Sequence, residues 1–136
     1  MEPSENTRFP NEMRTIQDFQ AFHRWLDEQK DFDTDLLLNM VLLTAEVGEV
    51  AEVLRKIRRR VRQAQREPDP PEEQVVMEAA LSEHREDLGQ ELADCIAYIF
   101  KLANYTGVDL QEAYLKKMAK NLDRVWVWGV MEEPDR

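Results

Sequence analysis

The segment from Leu36 to Ile57 constrains the fold of this chain more than any other feature. It contains no proline and a single glycine, Gly48, and its apolar residues fall on almost every side of a helix. A helix that is apolar all round lies in the middle of a bundle or at a subunit interface. The segment therefore predicts a central helix, with Asp33 or Thr34 as its N-cap, in a homodimer or homotetramer.

An amphipathic helix is predicted before this segment. Its apolar residues recur at spacings of three and four, as on one face of a helix: Ile16, Phe19, Phe22, Trp25 and Leu26. Thr15 can cap this helix, and Asp18 can complete a capping box with it. We expect the helix to run to about residue 30.

A long helical stretch is predicted after the proline-rich turn at residues 67–73. It reaches Ala103, either as one helix or as two helices that are broken near Gly89. Gly107 follows it and is suited to a C-terminal cap, because glycine tolerates the left-handed backbone conformation that such caps adopt.

A last helix completes an all-α fold. Asp109 and Glu112 form a capping box for this helix, which is expected to end near Asn121. Together the segments predict a bundle of four to five helices. The predicted organisation is a flexible N-terminal arm at 1–13, a helical domain at 14–124 and a C-terminal tail at 125–136.

The composition excludes two kinds of partner. With 18 basic and 28 acidic residues, the chain has a formal net charge of −10. Because nucleic-acid affinity comes mostly from lysine and arginine on phosphates, we expect no binding to duplex nucleic acid. The chain has no stretch of about 18 apolar residues, and its N-terminus lacks the apolar region of a signal peptide. We therefore expect a soluble, cytoplasmic protein without a membrane partner.

Four carboxylates occur in pairs inside the most apolar helices. Glu46 and Glu49 are three residues apart and share one helix face. Glu91 and Asp94 have the same spacing on a later helix. The apolar neighbours of both pairs are expected to pack inward: Val47, Val50, Val53, Leu92, Cys95, Ile96 and Ile99.

Carboxylates in such surroundings require compensation. Burying one without a partner costs several kcal/mol, so buried charges are paired with cations or coordinate a metal. An all-oxygen site suits Mg²⁺, with Mn²⁺ as the other candidate. The sequence therefore predicts a divalent-metal site built by the two acidic pairs.

Other interpretations of these carboxylates are open. They could pair with the arginine-rich run at 55–66 or lie on a solvated stripe, although 36–54 and 86–100 contain no lysine or arginine. A di-iron bundle requires Glu-x-x-His pairs. Neither His23 nor His84 stands three residues after a glutamate, so a di-iron site is disfavoured.

The acidic pairs belong to longer motifs. The chain reads L-x-x-E-V-G-E-V-A-E, then E-L-A-D-C-I-A-Y, then G-V-D-L-x-x-A-Y-L-K-K-M-x-K-N-x-x-R. In these motifs it resembles the MazG-like all-α nucleoside triphosphate pyrophosphohydrolases, and among them the dCTP pyrophosphatase-type branch. The resemblance covers residues 15–124.

The resemblance implies a reaction and a set of metal ligands. A (deoxy)nucleoside triphosphate would be hydrolysed between its α and β phosphates to the monophosphate and pyrophosphate, as in nucleotide-pool housecleaning. The family's metal ligands are the acids of its two motifs, and they match Glu46, Glu49, Glu91 and Asp94.

The resemblance also implies roles for other polar residues. Lys117, Asn121 and Arg124 match positions that would contact the phosphates or the sugar. Glu52 extends the first acidic motif. Either Glu49 or Glu52 could accept a proton from the attacking water.

The identity of the base stays open. The stretch at 58–88 is longer than expected for a compact family member, and Arg55, Lys56 and Ile57 stand where part of the family has aromatic residues or lysine. His23 is a candidate base contact. The aromatic residues around it either line a base pocket or pack in the core.

Two further features have a structural interpretation. The arginine-rich run at 55–66 is interpreted as a helix end whose cations lie near the negative pole of the dipole and pair with the acidic segment that follows; the alternative is a phosphate or nucleic-acid contact. Cys95 is interpreted as a packing residue, because its motif contains no histidine.

Two functions compete with nucleoside triphosphate hydrolysis. One is a non-enzymatic helical interaction module whose acids pair with the basic run. The other is phosphoribosyl-ATP pyrophosphohydrolase, which shares the chemistry but acts on a different substrate.

Overall fold

The computed structural model describes residues 13–124 and the backbone of residues 126–127 and 130–131. The predicted all-α class is confirmed. The helices are α1 (Ile16–Lys30), α2 (Leu36–Gln65), α3 (Glu73–Thr106) and α4 (Leu110–Leu122). Two short antiparallel strands follow, β1 (Trp126–Val127) and β2 (Val130–Met131). The predicted arm at 1–13, except Met13, and most of the predicted tail at 125–136 lie outside the described residues.

Helix α1 begins with the predicted capping box. The Thr15 hydroxyl accepts a hydrogen bond from the Asp18 backbone N–H, and the Asp18 carboxylate accepts one from the Thr15 N–H. The same carboxylate accepts a hydrogen bond from the Arg14 N–H at 3.0 Å. These bonds, the one from Arg14 first, hold the pKa of Asp18 below its ordinary value because they favour the ionised form.

Helix α2 starts later than predicted, so the prediction of Asp33 or Thr34 as its N-cap is wrong. The cap is Asp35, whose carboxylate accepts a hydrogen bond from the Leu38 N–H at 2.7 Å. Asp33 serves the cap indirectly, since its carboxylate accepts a bond from the Asp35 N–H. Buried Asn39 fixes this turn by donating to the carbonyl oxygens of Asp33 and Asp35.

Helix α3 is a single helix of 34 residues and is not broken at Gly89. A glycine inside a helix costs about 1 kcal/mol relative to alanine, which tertiary packing readily offsets. The helix ends at Thr106 and is capped by Gly107, as predicted, with φ of +70°. The Gly107 N–H donates to the Asn104 carbonyl and the Val108 N–H to the Ala103 carbonyl, the two bonds of a Schellman motif.

The start of helix α4 is capped by Asp109, as predicted. Its carboxylate accepts a hydrogen bond from the Glu112 N–H at 3.1 Å. The Gln17 side chain donates to the same carboxylate at 2.9 Å. The helix ends at Leu122, one residue beyond the predicted end.

The chain forms two compact units, and residues 32–102 make the first. Its buried cluster joins the second half of α2 to the first half of α3, through Val53, Ile57, Val61, Val76 and Ala80. The Arg60 guanidinium lies 3.3 Å from the Glu83 carboxylate on the other helix. The two helices therefore run antiparallel from the turn that joins them.

The second unit contains the residues up to Asp31 and those from Ala103 on. Its centre is Gln20, a side chain with only 4% of its surface exposed. The Gln20 amide donates to the Asn104 side chain and to the Val108 carbonyl, and it accepts from the Leu110 N–H. A polar side chain thus joins α1 to the end of α3 and the start of α4.

Many apolar residues of the first unit are exposed in the single chain. The prediction that Val47, Leu92, Ile96 and Ile99 pack inward is wrong for one chain: their exposed fractions are 53%, 51%, 49% and 40%. The buried cluster of this unit lies nearer the α2–α3 turn, so these residues lie outside it and are only about half covered. Val53 is buried as expected. Among the described residues, no helix is both long and apolar enough to cross a membrane.

Candidate metal centre

The antiparallel pairing of α2 and α3 brings the two acidic motifs together. With increasing distance from the turn, residue numbers fall along α2 and rise along α3, so Glu46 comes to lie opposite Glu91. One carboxylate oxygen from each of Glu46, Glu91 and Asp94 lies within 4.8 Å of the other two. Three of the four predicted metal ligands therefore converge on one point.

The fourth predicted ligand, Glu49, lies beside this group. It follows Glu46 by three residues on α2, so both side chains project from one helix face. Its negative charge acts on Glu91 across the helix pair. Glu46 and Glu91 are half-buried, whereas Glu49 and Asp94 are exposed.

The crowding of these acids is visible in their electrostatics. The pKa of Glu91 is raised, first by desolvation and then by the negative charges of Glu46, Glu49 and Asp94, with a hydrogen bond to the Glu46 carboxyl as a further cause. Each cause disfavours an ionised Glu91 when only acids surround it. A cation at this point would reverse that preference.

Among the residues that the structure describes, these carboxylates have no lysine or arginine partner. Within the described part of the chain, none of the four makes an ion pair with lysine or arginine, whereas other acids do, among them Glu52 with Arg55 and Glu83 with Arg60. The alternative in which these acids pair with the basic run at 55–66 is therefore not what the structure contains. A set of carboxylate oxygens without a lysine or arginine partner among the described residues fits a hard divalent cation such as Mg²⁺ or Mn²⁺.

Cys95 lies next to this cluster and is half-buried. Desolvation, followed by the charges of Glu46, Asp94 and Glu91, raises the pKa of its thiol. A reactive cysteine needs the opposite, a lowered pKa in an electropositive environment. The thiol stays protonated at neutral pH, in agreement with the interpretation of Cys95 as a packing residue.

Glu52, predicted as a possible proton acceptor, lies one turn beyond Glu49. Its carboxylate is 3.2 Å from the Arg55 guanidinium, in an ion pair between residues three apart on α2. Both side chains are largely in solvent, with 47% and 67% of their surfaces exposed. Glu52 therefore has a local cation, unlike the four carboxylates of the cluster.

The predicted substrate contacts belong to the other compact unit. Lys117 and Asn121 lie on one face of α4, and Arg124 follows directly after the Asp123 C-cap. Lys117 is exposed, whereas Asn121 and Arg124 are half-buried. The spacing of four aligns Lys117 and Asn121 on α4, and Arg124 follows just beyond the helix; all three can donate hydrogen bonds to phosphate oxygens.

His23 lies on α1 in the same unit and is half-buried. Its ring contacts that of Phe22 edge to face, with centroids 5.3 Å apart. Phe22 in turn lies 6.0 Å from Trp25. These rings form a half-buried aromatic group on α1, which accords with either interpretation of the aromatic residues.

Sequence reasoning overlooked Gln20, which supports the helices that carry these residues. Gln20 lies at the edge of the apolar face of α1, four residues after Ile16 and three before His23. Its hydrogen bonds to Asn104, Val108 and Leu110 hold α1 against the start of α4. The sequence signal was weak, because Gln20 has helical spacing to Ile16 alone among the apolar residues of that face.

Comparison with known proteins identifies the family. The model of the MazG nucleotide pyrophosphohydrolase domain matches residues 34–126, more than half of the chain. The match contains all four carboxylates and the segment from Lys117 to Arg124, but not His23. No curated protein and no solved structure matches the chain. The chain therefore belongs to the MazG nucleotide pyrophosphohydrolase domain family.

Proposed function

We propose that this protein hydrolyses a (deoxy)nucleoside triphosphate between the α and β phosphates, with Mg²⁺ as its cofactor and Mn²⁺ as a substitute. The family establishes a hydrolase that acts on nucleotide pyrophosphate bonds. The observation that carries the finer proposal is the convergence of Glu46, Glu91 and Asp94, without a basic partner, on two helices inside the matched region. The products are the monophosphate and pyrophosphate, and the role is housecleaning of the cytoplasmic nucleotide pool.

The metal ligands in this proposal are Glu46, Glu91 and Asp94, joined by Glu49. A divalent cation bound there supplies positive charge to phosphate oxygens and lowers the pKa of a bound water. This positive charge matters because the chain has a net charge of −10 and its proposed substrate is an anion. Without a cation the carboxylates would repel an anionic substrate, whereas with the cation they hold the charge that binds it.

Glu49 is the better candidate for the proton acceptor. It is exposed, lies beside the cluster and has no ion pair among the described residues. The carboxylate of Glu52, the other candidate, forms an ion pair with the Arg55 guanidinium at 3.2 Å. Glu49 is therefore the one of the two candidates whose carboxylate is not engaged by a neighbouring cation among the described residues.

Substrate binding is assigned to Lys117, Asn121 and Arg124, with His23 as the contact to the base. Lysine and arginine suit phosphates because they carry a permanent charge and several donors, and the asparagine amide suits a sugar hydroxyl or a phosphate oxygen. The dCTP pyrophosphatase-type resemblance makes dCTP the first substrate to test. The helical domain responsible is proposed to span 14–124.

The protein is proposed to work as a homodimer or homotetramer. Large apolar side chains are exposed on the first half of α2 and on α3 beside the carboxylates: Leu37, Met40, Val41, Val47, Leu92, Ile96 and Ile99. Exposed apolar surface of this extent marks an association site. A second copy that covers it would also remove water from around Glu46 and Glu91.

The test is a panel of common and modified nucleoside triphosphates incubated with Mg²⁺, with the products separated by chromatography. We expect a nucleoside monophosphate and pyrophosphate from at least one substrate, and no turnover in chelator. Release of orthophosphate would assign the cleavage to a different bond. Phosphoribosyl-ATP belongs in the panel, and its selective hydrolysis would replace the proposed substrate class.

A pair of variants links the activity to the carboxylate cluster. Asp94→Asn should reduce turnover by about a hundredfold or more, because loss of a group that only supports a metal ligand already costs about 10–100-fold. Asp87→Asn is the matched control, since Asp87 is exposed on α3 two turns earlier. Equal activity of both variants would contradict the proposed centre, as would an effect of Asp94→Asn on oligomeric state alone.

A further inference from the structure

An arginine stripe runs along the second half of α2. A groove of about 510 Å³ is lined by this stripe, which consists of Arg55, Arg58, Arg59, Arg62 and Arg66, together with Gln63. At 100° per residue, the five arginines fall within about 100° of the helix circumference, and they cover about 16 Å of its length. They form one continuous cationic surface on a chain of net charge −10.

The arginine stripe points away from the core. Val53, Ile57 and Val61 on the same helix are buried against α3, and by helical geometry they occupy the opposite face. Each stripe residue is exposed. The stripe therefore lies outside the buried cluster of the unit that carries it.

Most of the stripe has no acidic partner. Within the described part of the chain, Arg58, Arg59, Arg62 and Arg66 form no ion pair, and Arg55 pairs only with Glu52 on its own helix. The cross-helix pair of the basic run, Arg60–Glu83, lies outside the stripe. The acidic segment after the turn therefore does not neutralise these arginines, contrary to the sequence-based interpretation.

We propose that the arginine stripe binds inorganic polyphosphate, a linear chain of phosphates without bases. Guanidinium groups match phosphate oxygens in paired hydrogen bonds, and a row of them suits an extended anion better than a compact one. The groove has no aromatic residue on which a base could stack. The charge of the rest of the protein acts weakly here, because charges more than about 8 Å away are screened at physiological salt.

The test is calorimetric titration of the full chain with long-chain inorganic polyphosphate in chelator, so that the carboxylate cluster cannot bind phosphate through a metal. We expect binding that weakens steeply with salt. Arg58→Gln combined with Arg62→Gln should lower the affinity about tenfold and reduce the slope of log affinity against log salt by about two, because two phosphate contacts are removed.

A second double variant is the matched control. Lys56→Gln combined with Arg60→Gln removes two charges from the same helix but none from the stripe, and it should leave the affinity unchanged. Thermal unfolding verifies that both variants fold. The proposal is overturned if the wild type does not bind polyphosphate, if the two double variants lose equal affinity, or if oligothymidylate or polyglutamate of matched charge binds as tightly.

Discussion

Replacing Gln20 by leucine tests whether one buried polar side chain holds the second compact unit together. The change removes three side-chain hydrogen bonds: to the Asn104 side chain at 3.1 Å, to the Val108 carbonyl at 2.9 Å, and from the Leu110 N–H at 3.0 Å. The three losses differ in cost. Asn104 Oδ1 keeps a bond from Arg24, and exposed Val108 leaves its carbonyl within reach of water.

The expected cost is about 2–3 kcal/mol of the free energy of unfolding. A hydrogen bond contributes about 1 kcal/mol net, and a buried group left without a partner costs about 1–3 kcal/mol; the Leu110 N–H is the group most affected. For a chain of 136 residues, this corresponds to a fall in Tm of roughly 10 °C. Thermal unfolding at fixed protein concentration measures it, since assembly also changes Tm.

The control is Gln29→Leu on the same helix, where the side chain is exposed. It makes the same chemical change and should alter the free energy of unfolding by less than about 0.5 kcal/mol. Because α4 carries Lys117 and Asn121, Gln20→Leu should also raise KM for the nucleotide more than it lowers kcat. If Gln20→Leu is no less stable than Gln29→Leu, the hydrogen-bond network does not organise this unit.

Three other predictions follow from single residues. Glu91→Gln should raise Tm in chelator, because it removes an acid whose ionised form is disfavoured by desolvation and by the neighbouring negative charges. We expect Mg²⁺ to raise the Tm of the wild type but not that of Glu91→Gln; an equal rise in both would contradict this. The folded-state pKa of Asp18 is lowered from 3.8, so its contribution to stability is complete above about pH 4 and is lost as the pH falls through the folded-state pKa. Asp18→Asn should therefore make acid unfolding less steep in that range, measured by circular dichroism. Finally, Gly107→Ala should cost about 1–2 kcal/mol because φ is +70° there, whereas Gly89→Ala inside α3 should gain up to about 1 kcal/mol; denaturant unfolding that gave both changes the same sign would refute this.

The carboxylate cluster is only partly enclosed by one chain. Two of its acids are exposed, and so are the apolar neighbours Val47, Leu92 and Ile96. The sequence predicts an apolar interior around these acids, and a single chain supplies only one side of it. This difference is the physical basis for proposing that a second copy covers the site.

Local sequence determined where most of the helices begin and end. The Thr15–Asp18 capping box, the Asp109 cap and the glycine after α3 each depend on hydrogen bonds between residues a few positions apart, so the residue pattern contains the necessary information. The spacing of three within each acidic motif likewise placed each carboxylate pair on one helix face. Asp35 was not predicted as the cap because three residues that can cap a helix follow one another, Asp33, Thr34 and Asp35. The hydrogen bonds from buried Asn39 to the carbonyls of Asp33 and Asp35 favour the observed cap.

Only the tertiary structure decided how these local pieces meet. The continuity of α3 through Gly89 depends on packing that outweighs a propensity cost of about 1 kcal/mol. Glu46 and Glu91 are about 45 residues apart along the chain. They meet because the buried cluster around Val53 and Ala80 sets the register of the two antiparallel helices. Likewise, the sequence contains many arginines at 55–66. Only the fold determined that the stripe faces solvent and that, among the described residues, Arg55 alone of its five arginines has an ion pair, because such a pair requires two side chains to meet in space.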